Sequence, residues 1–114
     1  MQWSTGEKTM NGVWIAHFTA GEAHGSGIAV LRSGEILGGD FSHLWVGTYE
    51  EEGSQLYARV HVAPQGAEAD GKVIQREKAL ELTLSGFHTG ADARLVGRAD
   101  NAEFTVSIEM RKAM

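Results

Sequence analysis

Between residues 55 and 62 the chain changes hydrophobicity at every step: Leu56, Ala58, Val60 and Val62 share one side of an extended backbone, and Tyr57, Arg59 and His61 share the other. Strict period-two alternation belongs to a strand with one face in a core and one in water, because successive strand side chains point to opposite faces. The rhythm returns over residues 103–111, where Phe104, Val106, Ile108 and Met110 alternate with Glu103, Thr105, Ser107, Glu109 and Arg111. It returns again over residues 78–87, with Leu80, Leu82 and Leu84 opposed by Glu81, Thr83 and Ser85. A helix competes for residues 75–82, since Glu, Lys, Ala and Leu are good helix formers. Leucines two apart, followed by Thr83, Ser85 and Gly86, favour the strand.

The stretch 25–49 holds short apolar runs at 28–31, 35–37 and 44–49, separated by Ser33-Gly34 and by Gly38-Gly39-Asp40. Such runs read as consecutive strands joined by tight turns, whose positive φ angles glycine adopts at little cost. An earlier strand covers residues 13–19, with Trp14, Ala16 and Phe18 on one side and Val13, Ile15 and His17 on the other. A turn at 21–25 leads to a strand reaching Arg32, residues 50–53 form another turn, 64–73 a loop, and 92–99 a further strand before a turn at Asp100-Asn101. The expected fold is all-β, an eight-stranded up-and-down antiparallel barrel. Its inward candidates are Trp14, Phe18, Ile28, Val30, Leu56, Val60, Leu80, Leu82, Leu84, Phe104, Val106 and Ile108. Residues 1–10 are expected to form a loose N-terminal arm, with Met10 an alternative start, and residues 11–114 a single barrel domain.

Composition narrows the function classes. Fifteen acidic against ten basic residues repel a phosphate backbone, which argues against direct nucleic-acid binding and for a basic protein partner. The chain has no cysteine, hence neither a disulfide framework nor a thiolate metal site. No apolar run is long enough for a transmembrane helix and residues 1–10 lack a signal peptide's hydrophobic stretch, so a cytoplasmic location without membrane contact is expected.

Several residues then combine into a pattern. Asn11-Gly12-Val13-Trp14 leading to Phe18, then Gly27-Ile28, the run Ser33-Gly34-Glu35-Ile36-Leu37-Gly38-Gly39-Asp40, Trp45 with Gly47, and Leu56 through His61-Val62 together resemble the GrlR-like family. The likeness covers residues 11–62; from residue 65 onward only strand rhythm is shared. Members of that family are small bacterial negative regulators of type III secretion with a lipocalin-like β-barrel. The resemblance implies a non-enzymatic protein that holds a transcriptional activator inactive by direct contact, through a short acidic motif on one loop. The corresponding residues here are Glu50, Glu51 and Glu52, ended by Gly53 in place of an alternating Glu/Asp tetrad. Adjacent carboxylates steer a basic surface toward them. The plainer reading is a solvated hairpin that blocks edge pairing.

Chemical alternatives find little support. The histidines His17, His24, His43, His61 and His88 show no close-set ligand spacing, and no metal or other cofactor is expected. Ser26 in Gly25-Ser26-Gly27 lacks the strand-to-helix setting of a nucleophile elbow and reads instead as a bulge or a close approach of backbones. Residues 34–39 have no lysine or following helix and fail as a phosphate loop. Asp40 is expected to hydrogen-bond its own turn. No acid/base pair can be nominated, so no catalytic residue is assigned. The alternative to a regulator is a carrier of a small apolar ligand inside the barrel, with Trp14, Phe18, Val60, Leu82 and Phe104 as pocket residues. A homodimer is also expected, through an apolar outer face built from Trp45, Tyr49, Val13 and Ile15, unless these residues pack under the 64–73 loop.

Overall fold

The computed structural model describes residues 10–64, 68–69, 72–73 and 79–114. The strands are β1 (Gly12–Ala20), β2 (Ala23–Arg32), β3 (Glu35–Gly39), β4 (His43–Glu52), β5 (Gln55–Pro64), β6 (Glu68–Ala69), β7 (Lys72–Val73), β8 (Leu80–His88), β9 (Asp92–Ala99) and β10 (Thr105–Lys112). Eight of them close into an antiparallel barrel in the order β1-β10-β9-β8-β5-β4-β3-β2, while β6 and β7 pair only with each other. Closure is made by β1, where Ile15 lies opposite Ile28 of β2 on one side and Arg111 of β10 on the other. The up-and-down order follows from short connections, except where β5 reaches β8 across the β6–β7 hairpin. The expected arm at residues 1–9 and the helix alternative at 75–78 lie outside the described residues.

Turn chemistry explains where the strands stop. Ser33 and Gly34 take φ values of 50° and 86°, the paired left-handed conformation of a two-residue hairpin that matches strand twist. Two turns are shorter than the sequence suggests. β2 begins at Ala23, so only Gly21 and Glu22 remain of the expected 21–25 turn. β4 runs through Glu52, because Glu50, Glu51 and Glu52 continue the ladder opposite Tyr57, Leu56 and Gln55. Glutamate is a poor strand former, but the ladder to β5 overrides that local preference.

The wall bends inward-facing glycines against neighbouring strands. A Cβ on Gly47 would lie 2.1 Å from the Arg59 carbonyl oxygen, and one on Gly97 would lie 1.9 Å from that of Thr83. Only a residue without a side chain permits that approach. Gly27 plays a related part, since its Cβ would meet the Trp45 ring at 2.7 Å, in keeping with the close approach expected around Ser26.

The core is densest at the lower end, where the β2–β3, β4–β5 and β8–β9 turns gather. Met10, expected in a loose arm, is fully buried there with Trp14 and Leu56. The Trp14 indole Nε1 donates to the Met10 carbonyl at 2.9 Å, and the Lys112 ammonium stands 5.6 Å from the Trp14 ring centroid. Asn11 Oδ1 accepts from the Ser33 amide at 2.9 Å and from the Tyr49 hydroxyl at 3.1 Å, tying β1, β2 and β4 together. Ile28 and Val30, expected inside, face out. The inward side of β2 is Gly27, Ala29 and Leu31, and at Gly27 the Trp45 ring and the Gly39 carbonyl leave no room for a side chain.

Candidate functional site

Strand β4 sends alternate side chains to two different environments. Trp45, Gly47, Tyr49 and Glu51 point inward, while Leu44, Val46, Thr48, Glu50 and Glu52 point out. The acidic run is therefore divided rather than presented as one loop. Glu50 and Glu52 are exposed. The Glu51 side chain is only 15 % exposed, with Oε2 standing 3.9 Å from His88 Nε2. His88 Nε2 lies 3.0 Å from the Gly53 carbonyl and can donate to it. Among the described residues, Glu51 Oε2 and His88 Nδ1 are buried without a hydrogen-bond partner. Burial raises the Tyr49 phenol above its ordinary value of 10.0; a backbone hydrogen bond with Gly34 opposes the rise, and the Glu51 carboxylate adds to it.

The same alternation moves the expected apolar outer face. Tyr49 is buried and Trp45 packs edge-on against Phe18, with ring centroids 5.7 Å apart, so neither belongs to the outside. Val13 and Ile15 do face outward, and the register lines them up with others. Val13 lies opposite Val30, Val30 opposite Leu37, and Leu37 opposite Val46, which makes one apolar row across β1 to β4. A second row runs Ile15, Ile28, Gly39, Leu44. Ile28 is 51 % exposed and Leu37 57 %, so these side chains meet water. Beyond Val46, the outward side of β4 continues to Glu50 and Glu52, placing carboxylates at one margin of the band.

The upper half of the interior is less full. A cavity of about 370 Å³ is lined by Phe18, Trp45, Leu80, Phe104 and Ile108 toward the top and by Ala16, Ala29, Ala58, Val60 and Leu82 deeper in. Four of the five expected pocket residues, Phe18, Val60, Leu82 and Phe104, line this space; Trp14 lies at the closed end. Asp40 and His43, on the β3–β4 turn, complete the lining at the mouth. As expected, Asp40 organises its own turn: its Oδ1 accepts from the Ser42 amide at 2.8 Å and the His43 amide at 2.7 Å. Sequence reasoning missed Trp45 and the alanines as lining residues. The available signal was the spacing of two in Trp45, Gly47 and Tyr49 and in Gly27, Ala29 and Leu31.

Among the described residues no group of three or more His, Cys, Asp or Glu is placed to hold a metal ion, and no helix is long and apolar enough to cross a membrane. His61 on the outer face meets Glu81. His88 lies inside, remote from the His43 turn in the fold. No known family model matches the chain, and no curated protein matches it either.

Proposed function

We propose that this chain is a non-enzymatic regulatory binding protein that captures a protein partner on the outer face of β1 to β4. The observation that carries the reading is the in-register outward band of Ile28, Val30, Leu37, Leu44 and Val46, exposed on a closed sheet, flanked by the half-buried Val13 and Ile15 and bordered by Glu50 and Glu52. Contiguous exposed apolar surface with a polar rim is characteristic of interaction sites. The partner's complementary surface is apolar with basic groups beside it. The resemblance of residues 11–62 to GrlR-like regulators extends the proposal to a transcriptional activator as partner and type III secretion as the controlled system, in the cytoplasm and without direct contact to nucleic acid.

The expected homodimer moves to the same face, since Val13 and Ile15 are joined there by Ile28 and Val30 in place of Trp45 and Tyr49. Co-purification from the native cell, with the captured protein identified by mass spectrometry, tests the first part. A DNA-binding activator retained by the natural chain and lost by Leu37→Glu with Val46→Glu supports it; equal retention by both removes this face from the function. A scattering mass of one chain at high micromolar concentration removes the dimer and leaves the partner reading standing.

A second reading is supported by the cavity. A partly open apolar interior of about 370 Å³ suits a carrier of one small apolar molecule. Native mass spectrometry of freshly purified protein, by showing or failing to show a bound adduct, bears on this role directly.

A further inference from the structure

We infer that the outer wall over β5, β8 and β9 is a groove for an oligosaccharide, laid along β8 with one sugar ring stacked on Tyr57. The groove holds about 1160 Å³ and owes its shape to side-chain size. Outward on β8 stand the short Thr83 and Ser85, in register with Arg59 and Tyr57 of β5 on one side and with Arg98 and Val96 of β9 on the other. A floor of two hydroxyls therefore lies between taller walls that stand two strand spacings apart, about 10 Å. The turn over residues 100–103 also lines the groove, and it is fixed in place. The Asp100 amide donates to the Glu81 carbonyl at 2.6 Å, the Glu81 amide to Asn101 Oδ1 at 3.1 Å, and Asn101 Nδ2 to the Ala79 carbonyl at 2.9 Å. Preorganisation of this kind lowers the cost of binding.

The groups left over in the groove set the class of guest. Asp100 accepts from Thr83 Oγ1 at 3.1 Å and from Arg59 Nη2 at 3.4 Å, so Arg59 is engaged within the wall itself. Among the described residues, the side chains of Ser85, Arg98 and Glu103 carry no hydrogen bond or ion pair. They offer a hydroxyl that both donates and accepts, a guanidinium that only donates and a carboxylate that only accepts. The hydroxyls of a sugar do both, so one guest uses all three. Beside them the Tyr57 ring is 40 % exposed, and its hydroxyl donates to Gln55 Oε1 at 2.9 Å, which holds the ring along β5. An aromatic ring with a polar tip suits an amphipathic guest, and the C–H face of a pyranose covers it. The groove is separate from the aliphatic face of β1 to β4 and from the barrel cavity, so it stands or falls apart from both.

The test is a titration of the isotope-labelled full chain with cellohexaose, maltohexaose and chitohexaose, followed by amide chemical shifts. At least one of these sugars is expected to bind with a dissociation constant of about 1 mM or tighter, moving the amides of Tyr57, Ser85 and Arg98. Tyr57→Ala is expected to weaken binding about tenfold and Tyr57→Phe to preserve it, since the ring and not the hydroxyl meets the sugar. Arg98→Ala, which removes a charged donor, is expected to cost about tenfold as well. Arg94→Ala, outside the groove, is expected to leave the affinity unchanged. Circular dichroism reports whether each variant folds, and Arg98→Ala carries the test if Tyr57→Ala does not. If none of the sugars moves those amides, the inference is overturned. Equal binding by the natural chain and by the folded Tyr57→Ala and Arg98→Ala variants places the contact elsewhere and overturns it too, as do shifts confined to the aliphatic face or to the cavity lining.

Discussion

The two halves of the outer wall follow the same backbone rule and present opposite chemistry. On β1 to β4 two neighbouring outward rows are aliphatic from strand to strand, flanked by polar rows such as Arg32, Glu35 and Thr48. On β5, β8, β9 and β10 they are salt bridges and hydroxyls: Arg94 bonds Glu109 at 2.8 Å, Arg59 reaches Asp100 at 3.4 Å, Thr83 bonds Asp100 at 3.1 Å, and His61 meets Glu81. Exposed apolar residues occur there too, but Phe87 lies between Gln55 and Arg94, and Val96 between Ser85 and Ser107. A closed barrel has no edge to protect, so the aliphatic rows are not needed to bury a sheet margin. The difference teaches that closure fixes which residues face outward but not their polarity, and the proposed partner surface rests on the aliphatic rows.

The sharpest way to break this comparison is charge on the aliphatic half. Leu37→Glu with Val46→Glu is expected to weaken partner capture at least about a hundredfold, as loss of a central contact cluster does. Arg94→Ala with Arg59→Ala on the other half is expected to leave capture within about twofold. Matched pull-downs at one salt concentration decide it; equal losses would erase the distinction.

Stability, by contrast, is expected to ignore the two halves. Gly47→Ala on β4 and Gly97→Ala on β9 each drive a methyl into a neighbouring carbonyl, and each is expected to cost about 2 to 3 kcal/mol in urea unfolding. A cost confined to one of them would show that the wall is pliable on the other side.

Smaller effects sharpen the picture on β4 itself. Glu51→Met replaces a buried carboxylate oxygen that has no hydrogen-bond partner among the described residues, and is expected to raise stability by about 1 kcal/mol. Glu50→Ala with Glu52→Ala is expected to slow capture of a basic partner while moving the unfolding midpoint little, because both side chains are in water. If all the glutamates behave alike in both measurements, the inward placement of Glu51 is wrong. The smallest effect concerns Arg94 and Glu109, whose coupling in a double-mutant cycle is expected to stay below about 0.5 kcal/mol, since both side chains are largely exposed.

Much of the fold was legible wherever only one face of a strand is apolar. Leu56, Val60, Leu82, Leu84 and Val106 are inside as the alternation predicts, and β9 has the expected bounds. β2 misled because both of its faces are apolar. Hydrophobicity favours Ile28 and Val30 for the core, but the register turns Gly27, Ala29 and Leu31 inward, and at Gly27 the Trp45 ring and the Gly39 carbonyl leave no room for a side chain. Room decided at Gly27, and room is a property of the neighbours. The acidic run misled for a related reason: consecutive charges suggest a turn, yet pairing of Glu51 with Leu56 keeps the strand going and sends one carboxylate inward. In the candidate site, Phe18, Val60, Leu82 and Phe104 could be named in advance, whereas the spacing of Ala16, Ala29 and Ala58 could place them on one face but not show that they leave a void, because a small side chain marks a void only after the opposite wall is known.

The amino-acid order alone determined that the described residues are strand and turn, since alternation and left-handed turn residues act over a few neighbouring positions of one backbone. Tertiary structure decided that β1 joins β10 and β5 joins β8, that Trp45 fills the place left by Gly27, and that an aliphatic band lies outside while a cavity lies within. Those outcomes depend on closure and on volumes summed over eight strands, which no local stretch of sequence contains.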